Sequence, residues 1–527
     1  MPRFLERLDD LATINDVHGA ALFLDRSVFV CVILTFLSAP HSIAATQIAW
    51  LTGMFLWLIR LAIKPRRKIG FGWLDAALWA FFLWSVLTSL ASYAPDISID
   101  KLRGAAVFLI FYFAYHNLRT RRSVYFATFV LIGSCMINVA WTPIQRVIGR
   151  GVEIHGLDPS GALAKAALWD GDTLLTANGK NIWSPEELLN VIEASEITKI
   201  NFYRPDFYYS VDVNRADLLA GSTPAERLGF RDWKKSRNWR SSGFYGHYTT
   251  YAEVLQLIGS LVLGLLVAVM VARRKRKGTD VDVVLSSSTC VRANERRFFA
   301  LLFAAVIGIC VALLLTVTRA SQLAFAISAA FIVLLGAGRK WFFAAAAVGL
   351  PIALVGLLFL QHSRQVSFFD PNDDSIRWRQ TVWNEGFDLW TESTRHLFVG
   401  VGMDSIKRYA KDWRLFDDGR LPLGHFHSTP LQLLVERGLP ALILWLCVLG
   451  IYARALWRAF SSADHSDWRR RGILLGCIGG TVGFFTSSIV HYNLGDQEVA
   501  MVFFMLMAIG MRAAQPPFEN ITDVVSA

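Results

Sequence analysis

Apolar stretches of roughly 18–22 residues, each the length a helix needs to cross a hydrocarbon core, recur along most of this 527-residue chain. In hydrocarbon every backbone N–H and C=O must bond inside its own segment, so such a chain folds as a bundle of membrane-spanning helices. About twelve stretches qualify, at 21–39, 43–63, 72–93, 104–118, 123–146, 249–271, 298–317, 320–337, 341–360, 429–452, 472–491 and 496–512. Composition excludes an ordinary soluble protein, with 54% apolar side chains against 18% charged. The expected fold class is therefore an all-α polytopic membrane protein.

Lys and Arg set the orientation, because basic loops resist translocation. KPRRK (64–68), NLRTRR (117–122), ARRKRK (272–277) with RANERR (292–297), GRK (338–340) and WRRR (468–471) all follow even-numbered spans. Both termini are expected in the cytoplasm. These loops account for most of the net charge of +11, so it does not indicate nucleic-acid binding. The opening MPRFLERLDDLATINDVHG carries charge where a cleavable signal peptide needs its apolar core. Cys31, Cys135, Cys290, Cys310, Cys447 and Cys477 form no CxxC pair, which supports neither a disulfide framework nor a zinc site. They read as small core residues.

Two long polar segments, 147–248 and 361–428, then face outward, and loops of that length carry function or a domain. In the first, a strand (Val152 to His155) leads to a short helix (Leu163 to Leu168). Asp170-Gly171-Asp172 turns into strand TLLTAN, Asn178-Gly179 makes a tight turn, Ser184 caps the helix PEELLNVIEA, and a hairpin follows. This GD…NG…SPEEL order resembles a bacterial PDZ domain over residues 149–214, and the resemblance implies a small α+β insert accepting an extended peptide by strand addition. The strand that opens that fold is expected to be short or absent here, and GRGV (149–152) matches its carboxylate-binding loop weakly, so a peptide binder and a spacer or docking module both stand. Residues 215–248 form a basic connector with Arg231, Lys234, Lys235, Arg237 and Arg240 beside Trp233 and Trp239. It reads either as a headgroup-facing stretch or as an electrostatic funnel for an anionic lipid-linked substrate.

Three stretches carry candidate chemistry. In LLLTVTRASQLAF, Arg319 sits at the edge of hydrocarbon, where it either snorkels to the interface or serves a site. In DDSIRWRQTVWNEGFDLW, Asp374 or Ser375 can cap a helix on which Arg379, Trp383, Phe387 and Trp390 recur along one face, while Arg377 points elsewhere. FVGVG (398–402) follows as a turn where backbone approaches another element. In HFHSTPLQLLVERGLP, His427 precedes a helical run through Leu431 and Leu434 to Gly438. Without nearby Cys or an HExxH spacing, His425 and His427 do not suggest a metal site.

LLLTVTRA, SxxxRxxxW, GVG and HSxxLQLLxERG, in this order, resemble the O-antigen ligase and polymerase superfamily of bacterial envelope glycosyltransferases. The resemblance spans most of the chain outside the insert, and GFYGHYTTYAEVL is similar to the region before a middle span in that family. Ser428 stands where such proteins often carry Asn, which loosens assignment to a subfamily. The resemblance implies an enzyme of the bacterial inner membrane that needs no cofactor. It implies an undecaprenyl-diphosphate-linked glycan as donor, taken at the periplasmic face. The acceptor is then lipid A-core (ligase), a growing glycan (polymerase) or a protein hydroxyl (protein O-oligosaccharyltransferase).

In such an enzyme Arg319 and Arg379 would hold the departing diphosphate, because a guanidinium bonds phosphate oxygens bidentately and stays charged. His427 would be the general base. Arg377 competes with Arg379 and His425 with His427, while His247, Tyr245 and Arg240 are candidates for donor binding. The expected layout is about five spans in 1–148, the insert at 149–214, the connector at 215–248, central spans in 249–360, a catalytic loop at 361–428 and final spans with a cytoplasmic tail in 429–527. A transporter of lipid-linked glycans or a PDZ-bearing scaffold is the alternative of a different class. A transporter would show internal repeats with broken helices, and the sequence shows none.

Overall fold

The computed structural model describes residues 2–12, 18–64, 70–204, 207–277, 287–344, 346–347, 349, 351, 354 and 374–515. It comprises two compact units, one of residues 1–138 with 244–527 and one of residues 139–243.

Among the described residues, nine helices are long and apolar enough to cross a membrane. They are Gly19–Ser38, Ile43–Ala62, Trp73–Leu90, Arg121–Ile148, Tyr248–Lys277, Ser287–Thr316, Arg319–Ala337, Thr429–Ser462 and Gln497–Ala514. The fourth expected span, 104–118, is instead the end of Pro95–Ala105, a 3₁₀ turn at Ala106–Phe108 and Leu109–Asn117, none of them long enough to cross a membrane alone. The helix that leads into it carries Asp96, Asp100, Lys101 and Arg103. The expected span at 472–491 is covered to Ser488 by the helix Trp468–Ser488, which opens on three arginines, is rich in glycine and hydroxyl residues and is largely buried. The expected span at 341–360 lies largely outside the described residues.

Small residues bring three helices together. Gly264 of Tyr248–Lys277 lies against Gly472 and Gly476 of Trp468–Ser488, which leaves no room for a Cβ and lets the backbones touch, as in membrane helix pairs. Gly259 meets Phe325, Ser260 bonds Ser328 at 2.7 Å, and Gly336 meets Val267. These registers make Arg319–Ala337 parallel to Tyr248–Lys277 and Trp468–Ser488 antiparallel to both. The starts of the first two helices and the end of the third therefore share one end of the bundle. Thr429 N–H donates to His491 O at 3.1 Å, which brings the start of Thr429–Ser462 to the same end. Arg273, Arg274, Arg339, Lys340 and Arg469 to Arg471 lie at the opposite end.

The second unit is built on a sheet of order β5-β4-β2-β1-β6, with β1 at Arg150–Leu157, β2 at Thr173–Ala177, β4 at Ile197–Arg204, β5 at Phe207–Asn214 and β6 at Phe230–Ser236. A two-residue β3 (Lys180–Asn181) pairs with β2 across the Asn178-Gly179 turn, both of whose residues have positive φ, as a tight hairpin of this hand requires. Ser184 Oγ accepts from Glu187 N–H and caps the helix Pro185–Glu193. Val152, Ile154, Leu174, Ile192, Ile200 and Phe230 are fully buried in a core of the unit's own. The sheet runs past residue 214, because β6, inside the basic connector, pairs antiparallel along β1 (Ile154 opposite Trp233) and forms one edge.

Candidate active site

The second polar loop is described from residue 374. Its helix Asp374–Thr391 buries Val382 and Leu389 with Trp378 beside them, in a small core shared with Val401, Phe416, Phe426 and Val435. Of the stripe through Arg379, Trp383, Phe387 and Trp390, only the Trp390 end packs against this core, and Phe387 is 53% exposed. Glu385 closes the loop by accepting the N–H groups of Phe416 and Asp417 at 2.7 and 2.9 Å.

FVGVG and ERG (436–438) lie backbone against backbone. Val401 N–H donates to Val435 O and Gly402 N–H to Glu436 O, both at 2.9 Å. A Cβ on Gly400 would overlap Glu436 and one on Gly438 would overlap Phe398. Gly438 also has φ +73, where the helix Thr429–Ser462 kinks.

The start of that helix places the histidines. Ser428 is its N-cap, with Oγ accepting from Leu431 N–H at 3.4 Å, and Pro430 occupies the first turn. His427 precedes the cap at φ +47, an uncommon conformation for a side-chain-bearing residue and one concentrated at functional sites. Its N–H donates to His425 Nδ1 at 3.2 Å, the two rings lie 4.0 Å apart, and the Trp378 ring stands edge-on to His427 at 4.6 Å. Trp383 Nε1 donates to Phe426 O at 2.8 Å.

Burial, reinforced by the neighbouring charges of His425, Arg379, His491 and His247, pushes His427 down to about 2, so the imidazole is neutral. His425 is lowered too, chiefly by burial. Asp404 lies near His425 and is ion-paired to Lys101 Nζ at 2.8 Å and Lys407 Nζ at 2.9 Å. Burial alone would raise that carboxyl, yet the two ammonium groups hold it below the ordinary carboxylate range.

Of the residues singled out in the sequence, Arg379, His425, His427 and His247 converge. Arg319 is the first residue of Arg319–Ala337, at the same end of the bundle. Arg377 is exposed on the helix Asp374–Thr391. Tyr245 is buried, with its hydroxyl donated to Ala39 O at 2.8 Å. Arg240 belongs to the second unit, just after β6. Sequence reasoning missed His491, Trp378 and the Lys101–Asp404–Lys407 group. The polar HYNLGD (491–496) between two apolar stretches was the available signal for the first. Among the described residues no group of three or more His, Cys, Asp or Glu side chains is arranged to hold a metal.

A neutral imidazole beside a guanidinium, at one end of an apolar bundle, suits proton abstraction next to an anionic group. No curated protein matches the chain. A family model described as O-antigen ligase matches residues 302–446, a range that holds Arg319, Arg379, His425, His427 and the ERG turn. The chain thus carries an O-antigen ligase family domain over residues 302–446, which supports a place among membrane ligases and polymerases that transfer glycans.

Proposed function

We propose that the protein transfers a glycan from an undecaprenyl-diphosphate-linked donor to an acceptor hydroxyl at the periplasmic face of the bacterial inner membrane. The observation that carries this reading is the placement of neutral His427 beside Arg379, inside the segment that matches the O-antigen ligase family. His427 takes the proton of the attacking hydroxyl as its oxygen bonds to the anomeric carbon. The bond from that carbon to the diphosphate breaks, and its electron pair leaves with the diphosphate, which Arg379 and Arg319 hold. Arriving diphosphate charge offsets the cationic surroundings of His427, so the imidazole gains basicity as the donor binds. The end opposite the histidines carries the basic loops and is assigned to the cytoplasm. A single general base should contribute about 10²–10⁴ in rate, so His427→Ala is expected to lower transfer by that factor with donor binding intact. Wild-type transfer by a correctly folded His427→Ala protein would contradict the assignment.

The acceptor is read as a glycan, as lipid A-core or as a protein hydroxyl. One feature favours a protein contact through the insert, because β6 stands at a sheet edge beside a cavity of about 680 Å³ lined by Glu153, Lys234, Lys235, Arg237 and Asn238, where Glu153 pairs with Lys234 at 3.2 Å and leaves the lining with a net positive charge. Trp233 N–H is taken by Asp232 Oδ1 at 2.7 Å instead of by β1, so Trp233 and, two residues on, Lys235 turn their backbone groups outward. An acidic extended segment suits that edge. Loss of acidic-peptide binding in Lys235→Pro supports the contact, and unchanged binding makes the insert a spacer.

A further inference from the structure

The peptide between the two histidines is held by a pair of side chains one helical turn apart. Gln432 and Glu436 are only 1% and 2% exposed on the helix Thr429–Ser462. Gln432 Oε1 accepts Phe426 N–H at 2.8 Å, and Gln432 Nε2 donates to Glu436 Oε1 at 2.9 Å. That same carboxylate oxygen accepts Asp404 N–H at 2.8 Å. The backbone N–H of Phe426 can only donate, which fixes the amide's orientation and leaves its NH₂ facing the carboxylate. On the other side of Phe426, its carbonyl is taken by Trp383. Both polar groups of the residue joining His425 to His427 are therefore fixed, and Phe426 itself is fully buried. One acidic residue thus ties together the histidine segment and the turn that carries Asp404 with its partner Lys407.

We propose that Gln432 and Glu436 are positioning residues that hold the His427 imidazole at the reacting hydroxyl and lock it in register with the Asp404 turn. The proposal rests on His427 being the base of the transfer. Neither side chain reaches the reacting atoms, and each acts through hydrogen bonds to backbone N–H groups. Glu436 serves as an acceptor, so its role needs oxygen in that place and not negative charge. That property separates it from a buried carboxylate acting as a base.

The test is steady-state transfer by the full chain in lipid nanodiscs, with a lipid-diphosphate-linked glycan as donor. Misplacing a catalytic group by about 1 Å costs on the order of 100-fold, so Gln432→Leu should lower kcat by roughly that factor. The donor KM should stay within about twofold, because the ground-state contacts are untouched. Glu436→Gln keeps an acceptor oxygen for both N–H groups and should retain at least about half of kcat, whereas Glu436→Leu should fall with Gln432→Leu. Gln432→Glu sets two buried carboxylates face to face and should be inactive. Adding Glu436→Gln removes the facing charges, so transfer should rise over Gln432→Glu alone yet stay below wild type, because an amide turned to donate to the new carboxylate no longer accepts the Asp404 N–H. Retained activity in Glu436→Gln, beside loss in Glu436→Leu, excludes simple misfolding on removal of the negative charge.

Wild-type kcat in Gln432→Leu would overturn the proposal, as would Glu436→Gln as inactive as Glu436→Leu. His427→Ala in the same assay separates the two levels. An active His427→Ala chain removes the base itself, while an inactive one beside a fully active Gln432→Leu removes only the positioning role.

Discussion

The two polar segments that interrupt the apolar helices are built in opposite ways. The insert closes on its own core, with Val152, Ile154, Leu174, Ile192 and Ile200 all fully buried within one unit. The second loop has a smaller core, and its fixed points are borrowed from the helices it touches. Its FVGVG backbone bonds Val435 and Glu436, Ser405 Oγ lies 2.7 Å from Ser92 Oγ, and Arg408 is paired with Asp96 at 2.6 Å. A segment stitched into a bundle holds side chains in fixed register with it, which catalysis requires. A segment with its own core can be altered with little consequence for that register.

Several substitutions sharpen or break that contrast. Gly438→Val should have the largest structural effect, because φ +73 and overlap with Phe398 act together. About 2–4 kcal/mol of stability should be lost, read as faster thermal inactivation in detergent. Wild-type heat resistance would mean that the loop is not stitched in as described.

Arg379→Lys should come next, at about 10- to 100-fold in transfer, since Lys cannot reproduce a bidentate phosphate contact. Arg377→Lys, on the exposed face of the same helix, should change transfer by less than about threefold. Equal losses at both positions would dissolve the distinction between the two arginines.

Acidity probes the His427 site itself, faced by His425, Arg379, His491 and His247. The neutral imidazole is the proposed base, and burial holds its value in the free protein below the ordinary 6.5. Activity is lost only as pH falls through that lowered value, so kcat/KM should stay level from about pH 7.5 to 5.5. A fall centred near pH 6.5 would place His427 in an ordinary solvated setting. Smallest of all should be the effect of Lys235→Pro in the insert, within about threefold on transfer. A loss as large as that of Arg379→Lys would make the insert part of the catalytic machinery.

Most of the helical architecture was legible because an apolar run of span length has few other uses. Residues 104–118 read as one apolar stretch, and nothing in that stretch announces the 3₁₀ turn at Ala106–Phe108 that divides it. In the insert, Asn178-Gly179 and Ser184 were legible because turns and caps are local. β6 was not, since its partner β1 lies some eighty residues earlier and nothing in FRDWKKS names it. On the helix Asp374–Thr391, periodicity alone cannot say which of two adjacent stripes is buried, and tertiary packing buries Val382 and Leu389 with Trp378 and Trp390 against them while Phe387 stays exposed. His427 stood out as a polar residue at the edge of an apolar run. Gln432 and Glu436 did not, because a buried amide and carboxylate on an apolar helix acquire meaning only from the backbone groups they meet.

The most direct test of glycosyl transfer by a single base is the structure of the product. Purified protein in nanodiscs would be given a lipid-diphosphate-linked glycan and candidate acceptors, followed by mass analysis and determination of the new linkage. One displacement by a His427-activated hydroxyl predicts release of the lipid diphosphate and an intact glycan on the acceptor with inverted anomeric configuration. A retained configuration, or donor moved across the membrane unaltered, would contradict the account.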